Sequence, residues 1–134
     1  MTMDEASRLA SFALVVLIWM VQLIVYPGFA AIAPEGFVAW HSRYTRAITW
    51  IVGPLMLGQA ALLGWLVYDR PNLPRTLAAV AVAVAWIATI TLAIPGHDAL
   101  QAGGRDVAVI RRLVATNWVR TVAWTAAFLL LVLA

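Results

Sequence analysis

From Leu9 to Tyr26 the chain carries Gln22 as its one strongly polar residue, and three further apolar runs of similar length follow. A hydrocarbon core about 30 Å thick needs roughly 20 helical residues, so each run can cross a bilayer as a helix. The expected spans are 6–26, 47–68, 77–94 and 113–134, with an interfacial helix over 35–46 ahead of the second. This is an all-α chain, a transmembrane four-helix bundle, read as a single integral membrane domain over 1–134 and laid out as two tandem helical hairpins. No small-residue cleavage site follows the first run, which is therefore expected to stay as a span.

Local signals set the boundaries. Thr2 and Glu5 have capping-box spacing, which starts the first helix near Met3, and Pro27-Gly28 is expected to end it. Pro34-Glu35 suits the first turn of the second helix, and Gly53-Pro54 should kink it. "DRPNLPRT" is a polar turn. The third span is expected to stop at Pro95-Gly96, with "GHDALQAGGRD" as a loop, and the fourth helix starts around Asp106. Shifting the chain by 68 positions lays Pro27-Gly28 on Pro95-Gly96, Gly36 on Gly104, Arg43 on Arg111 and Trp50 on Trp118. Such a repeat would relate two hairpins by an axis along the membrane normal.

Composition agrees with a membrane protein. The chain is 64% hydrophobic and 11% charged, too few charges to cover a soluble domain. Its nine basic residues are all Arg, and the net charge is +3. The arginines are split among loops, which points to headgroups rather than to nucleic acid. Arg8, Arg70 and Arg75 fall on one side, and Arg43, Arg46, Arg105, Arg111 and Arg112 on the other. The positive-inside rule then places loops 27–46 and 95–112 in the cytoplasm of a cell-membrane, multi-pass protein. The absence of cysteine removes disulfides, iron–sulfur clusters, thiolate zinc and thiol catalysis. No nucleophile elbow, phosphate loop or HExxH motif is present.

The chemistry-bearing residues are therefore few. From Thr121 to the end the last helix measures about 21 Å at 1.5 Å per residue, too short to span. Its membrane part must reach back to about Leu113, which carries Asn117 and Arg120 into the bilayer or its inner edge. Leu113, Asn117, Arg120, Trp124, Phe128 and Leu131 share one helical face. On the second helix His41, Thr45, Ile48 and Val52 share a face, with Tyr44 at its margin and Gln59 returning to it. Gln22, His41, His97, Asn117 and Arg120 all lie toward the same membrane side, so four helices can gather them into one polar pocket.

His41, His97, Asn117 and Arg120 are the candidate catalytic residues, with Tyr44, Trp124, Gln22 and Gln59 as candidate lining. Imidazole suits proton transfer or ligation of haem, copper or iron, which makes His41 and His97 the candidate metal ligands. Bland alternatives stand beside each role. Arg120 can snorkel to headgroups, Asn117, Gln22 and Gln59 can join helices, and the histidines can meet interfacial water.

Three segments carry a family resemblance: "YP" after the first span, "WHSRYTR" before the second, and "PGHDALQAGGRDVAVIRRLVATNWVRTVAW". With them the chain resembles small four-span integral membrane proteins of unknown function, distantly similar to membrane anthrone oxygenases. The resemblance covers nearly the whole chain and marks Tyr26, Pro27, His41, Pro54, His97, Asn117, Trp118, Arg120 and Trp124. Many members carry His where Val25 and Tyr44 stand here, so a multi-histidine metal site is reduced to two histidines. The spacing through Gly103-Gly104 is one residue longer. The anthrone link implies oxidation of a flat aromatic substrate.

Two functions follow as expectations. One is a small oxidoreductase or oxygenase-like enzyme acting on a hydrophobic aromatic molecule in an intramembrane pocket. The other is a non-catalytic membrane subunit, a helix-packing scaffold, or an oligomeric transporter or pore. Membrane lipids, a hydrophobic small molecule and a second copy of the chain are the expected partners. The run "AAVAVAVAWIA" suits close helix contact in a homo-oligomer.

Overall fold

The computed structural model describes all residues from Met1 to Ala134 as four helical rods joined by short turns. They are α1 (Met3–Ala31), α2 (Pro34–Asp69), α3 (Leu73–Gly103) and α4 (Val107–Val132), each long and apolar enough to cross a membrane. The chain is a multi-pass membrane protein built as an all-α four-helix bundle. α1 and α3 each pack along both α2 and α4, so they face one another across the bundle.

Capping side chains set the helix starts, because the first backbone N–H groups of a helix have no partner within it. At α1 the capping box is complete: Glu5 N–H donates to Thr2 Oγ1 at 3.2 Å, and Thr2 N–H donates to Glu5 Oε2 at 2.7 Å. Asn72 Oδ1 accepts from Arg75 N–H at 2.8 Å at the head of α3. Asp106 Oδ1 accepts from the Ala108 and Val109 N–H groups at 2.9 and 3.2 Å at the head of α4.

The two Pro-Gly pairs do not end their helices. Val21–Val25 and Thr89–Ala93 open into π turns immediately before them, and the chain continues as helix to Ala31 and Gly103. Proline lacks a donor and crowds the carbonyl of the preceding turn, and a wider i→i+5 turn accommodates both. The π turns also stand 68 positions apart, in the register of the sequence repeat. Residues 97–103 are thus helical rather than loop, and the connection shrinks to Gly104–Asp106. α2 is likewise unbroken from Phe37 to Asp69, with Pro54 inside it. The interfacial portion and the span are one helix.

Apolar packing fills the bundle in two clusters. One joins Leu14, Ile18, Phe29, Phe37, Leu100, Leu113 and Trp124, and the other joins Leu63, Ala78, Val82, Ala127 and Leu131. Arginines tie the ends. Asp4 receives Arg70 at 3.1 Å and Arg75 at 2.8 Å, while Arg8 Nε donates to the Leu131 carbonyl at 2.9 Å. At the opposite end Arg105 donates to the Ala30 and Ile32 carbonyls at 2.9 and 3.3 Å, holding the two loops together. The arginines grouped by sequence therefore occupy opposite ends of the bundle.

Gly104 has φ +79° and ψ −166°, a conformation nearly confined to glycine. Gly104→Ala is expected to destabilise the protein by about 1–3 kcal/mol. Gly103→Ala, where an added Cβ meets open space inside the helix, should be neutral or slightly stabilising. Thermal unfolding of both variants in the same detergent distinguishes the two effects.

Candidate functional site

Four helices contribute polar side chains to one hydrogen-bonded series at the loop end of the bundle. Gln22 on α1 anchors it, donating through Nε2 to the Val114 carbonyl at 2.9 Å. Its Oε1 accepts from Asn117 Nδ2 at 2.9 Å and lies 3.0 Å from the Thr121 hydroxyl. Asn117 Oδ1 then accepts from Arg120 Nη1 at 3.2 Å, and the same nitrogen donates to the Tyr26 hydroxyl at 3.4 Å. Tyr26 Oη is 2.9 Å from His97 Nε2, and His97 Nδ1 is 3.0 Å from His41 Nε2. His41 Nδ1 lies 2.9 Å from Gln101 Oε1, and Gln101 Nε2 donates to the Val38 carbonyl at 3.4 Å.

The ends of this series decide its direction. Because Gln101 Nε2 faces a carbonyl, its Oε1 is the acceptor, and His41 Nδ1 must donate. With neutral rings His41 Nε2 then accepts from His97 Nδ1, and His97 Nε2 accepts from the Tyr26 hydroxyl. Every proton from Tyr26 onward points toward the loop end. Phe29 closes the pair with edge contacts at 5.6 Å to His41 and 6.1 Å to His97, and Phe37 stacks on His41 at 5.5 Å.

Arg120 is the group least expected in such a place. It is 5% exposed, so it does not snorkel to headgroups, and none of the chain's ion pairs includes it. Its contacts are two neutral oxygens and the Trp124 face, 5.0 Å from the ring centroid. Its Nε is buried without a partner. Intramembrane charge of this kind ordinarily pairs with something or marks a functional site.

A cavity of about 110 Å³ meets this cation, lined by Tyr26, Tyr44, Thr49, Val52, His97 and Arg120 among others. A second cleft of about 250 Å³ shares Ile48, Thr49, Ile94 and His97 with it and adds His41, Asp98 and Gln101. Both open between α2 and α3, where Thr49 and Ile94 are exposed on the bundle surface. Together they reach the lower end, roughly 300 Å³, of small-molecule sites. A larger, apolar groove of about 410 Å³ lies farther along the same seam, away from these polar groups.

The residues singled out by sequence thus divide. His41, His97 and Tyr44 reach the clefts, as does Arg120. Asn117 is buried and holds Arg120 in place. Gln22, Gln59 and Trp124 are buried in helix contacts instead. Gln59 donates to Ser11 Oγ at 2.9 Å and accepts from Trp124 Nε1 at 3.0 Å, joining α1, α2 and α4. Trp118 faces outward against Trp19, with ring centroids 5.6 Å apart.

Sequence reasoning missed Gln101 and Thr121. Reading α3 as continuous past Pro95 would have put Gln101 one turn beyond His97, on the same face.

Haem, copper or iron does not suit this donor set. Both nitrogens of each histidine are engaged in the series, and no third His, Asp or Glu joins them to make a ligand cluster. Compared with known protein families, with curated proteins and with solved structures, the chain has no match.

The Gln22 amide serves two α4 side chains at once, and hydrogen bonds in membrane bundles average about 0.6 kcal/mol with a maximum near 1.7. Gln22→Leu is expected to lower stability by about 1 kcal/mol. A double-mutant cycle with Asn117→Leu in a denaturant series should recover a coupling of similar size. Additive effects would show that the two amides do not cooperate.

Proposed function

We propose that this membrane protein is a small oxygenase-like oxidoreductase that binds a hydrophobic aromatic molecule in the cleft between α2 and α3. The observation that carries this reading is Arg120: a buried cation without a carboxylate partner, at the wall of a cavity that also meets an imidazole and two phenols. A guanidinium preorganised in a low-dielectric site stabilises negative charge developing on a substrate oxygen far better than it could in water. A carbonyl or ionisable hydroxyl of the substrate takes the place facing Arg120, and Tyr44, stacked on Trp40 at 5.5 Å, offers a flat wall to the ring. His97 stands within the same cavity to exchange protons with it. The resemblance to membrane anthrone oxygenases points to the same kind of substrate, with dioxygen as the oxidant. The arginine-rich loops 27–46 and 95–112 then face the cytoplasm.

A second reading is favoured for part of the polar set. The Gln22–Asn117–Thr121 and Gln59–Ser11–Trp124 groups satisfy one another across helices and line neither of the two clefts between α2 and α3, as expected of groups that join helices. They support the site without touching its ligand.

The test uses purified protein with a tricyclic aromatic ketone, scored by binding and by oxygen uptake. Wild type should bind the ketone and consume oxygen. Arg120→Gln should bind it at least tenfold more weakly, since a hydrogen bond to a charged group contributes about 1.5–3 kcal/mol. Equal binding by wild type and Arg120→Gln would remove the oxygen-facing role of the arginine. Binding without any oxygen uptake would leave a ligand-binding protein rather than an enzyme.

A further inference from the structure

The common direction of the site's hydrogen bonds is unused by that reading, and the positive charge of its interior bears also on the charge of the ligand itself. Within the series Arg120 is the only group charged at neutral pH when both imidazoles are neutral. Asp98 borders the outer cleft but forms no ion pair, and Tyr26, Tyr44, His41 and His97 complete the titratable groups of the two cavities. A cation 5% exposed and lacking a counter-ion is stabilised by any anion that reaches it. Apart from the site residues and Thr49 and Thr89, the enclosing walls are apolar: Leu17, Val21, Ile48, Val52, Ala93 and Ile94. A preformed hydrophilic anion would lose its hydration on the way in. A weak acid can instead enter from lipid as a neutral molecule and ionise against the arginine.

Ionisation in place requires that the proton leave, and the side chains provide the route. Tyr26 accepts from Arg120 and donates to His97; His97 donates to His41, and His41 to Gln101. We infer that the site takes a hydrophobic weak acid, such as a phenol or enol, as its anion on Arg120, and that Tyr26, His97 and His41 carry the displaced proton to the loop end. This rests on the ligand site proposed above and names the class of molecule it holds.

The transfer balances. The acid O–H bond breaks and its proton passes to Tyr26 Oη, as the Tyr26 proton passes to His97 Nε2. The proton on His97 Nδ1 passes to His41 Nε2. His41, now protonated on both nitrogens, borders the outer cleft together with Asp98 and releases one proton there. The acid anion remains beside Arg120, so the interior ends neutral, and no oxidant or reductant is consumed. The reverse sequence returns the proton and frees the neutral acid to the lipid.

The probe is 4-nitrophenol, whose neutral and ionised forms absorb differently, with its methyl ether 4-nitroanisole as the non-ionisable control. Wild-type protein in detergent should bind the phenol as phenolate, its apparent pKa lowered by about one to three pH units by the adjacent cation. A pH indicator should record release of one proton per bound phenol below the free pKa, and none for the ether. Arg120→Gln should abolish the phenolate spectrum. His41→Ala should slow proton release in stopped flow on the order of tenfold or more beyond any loss of affinity, since a relay changes the rate and not the equilibrium.

Each outcome decides something. A phenol bound in its neutral form by wild type overturns the weak-acid assignment while leaving the ligand site intact. A phenolate whose proton leaves equally fast from wild type and His41→Ala overturns the relay. If neither phenol nor ether binds, the ligand site itself fails, together with the inference built on it.

Discussion

Enclosing a guanidinium inside four apolar helices is the constraint around which the rest of this structure is arranged. Hydrocarbon offers Arg120 no hydration, so its protons need acceptors from the protein. The acceptors must themselves be held in place. Asn117, one turn earlier on the same helix, supplies one, and Tyr26 from α1 supplies the other. Asn117 is in turn fixed by Gln22, and Tyr26 by His97. A single charge therefore recruits α1 and α4 directly, α3 through the Tyr26–His97 bond, and α2 through His41. The same constraint leaves the Arg120 charge itself uncancelled, which separates this network from one that only joins helices.

The two π turns place the other members of the network. Each adds width just before a Pro-Gly pair, allowing the helix to pass the proline instead of stopping there. Tyr26 lies immediately before Pro27 and His97 immediately after Gly96, and the two rings meet at 5.2 Å between centroids. Gly96 packs so closely on α4 that an added Cβ would lie 2.8 Å from Leu113 Cδ1, which keeps this end of α3 against its neighbour. The coincidence of the π turns with the 68-residue register gives the sequence repeat a structural counterpart. Both bulged helices bring the turn before their Pro-Gly pair to the site, with different side chains there.

Much of the architecture could be read from local signals. The capping box at Thr2 and the helix start at Asp106 depend on groups within a few residues of one another, which sequence spacing captures, whereas the Asn72 cap and the helix start at Leu73 lie inside the stretch read as a polar turn. Asn117 and Arg120 were legible as polar residues on one face of the last helix, while their burial among the other helices is a property of the packing. The reading of Pro27-Gly28 and Pro95-Gly96 as helix ends failed because a π turn depends on how the helix is held by its neighbours. Proline alone does not announce it. That error hid Gln101, whose position beyond His97 becomes meaningful only if the helix continues.

What the sequence by itself determined was the number of spans, the capping box at Thr2, the grouping of the arginines at two ends, and the presence of one arginine within the last span. These depend on length, hydrophobicity and short-range chemistry. The division of the polar residues was decided only by the tertiary structure: Gln59 and Trp124 bond each other between helices, while Tyr26, His97 and His41 align into a directed series. Helical periodicity can put residues on a common face, but it does not say which partner that face meets. That choice depends on the rotation and depth of each helix against the others, set by packing among residues as distant in sequence as Tyr26 and His97.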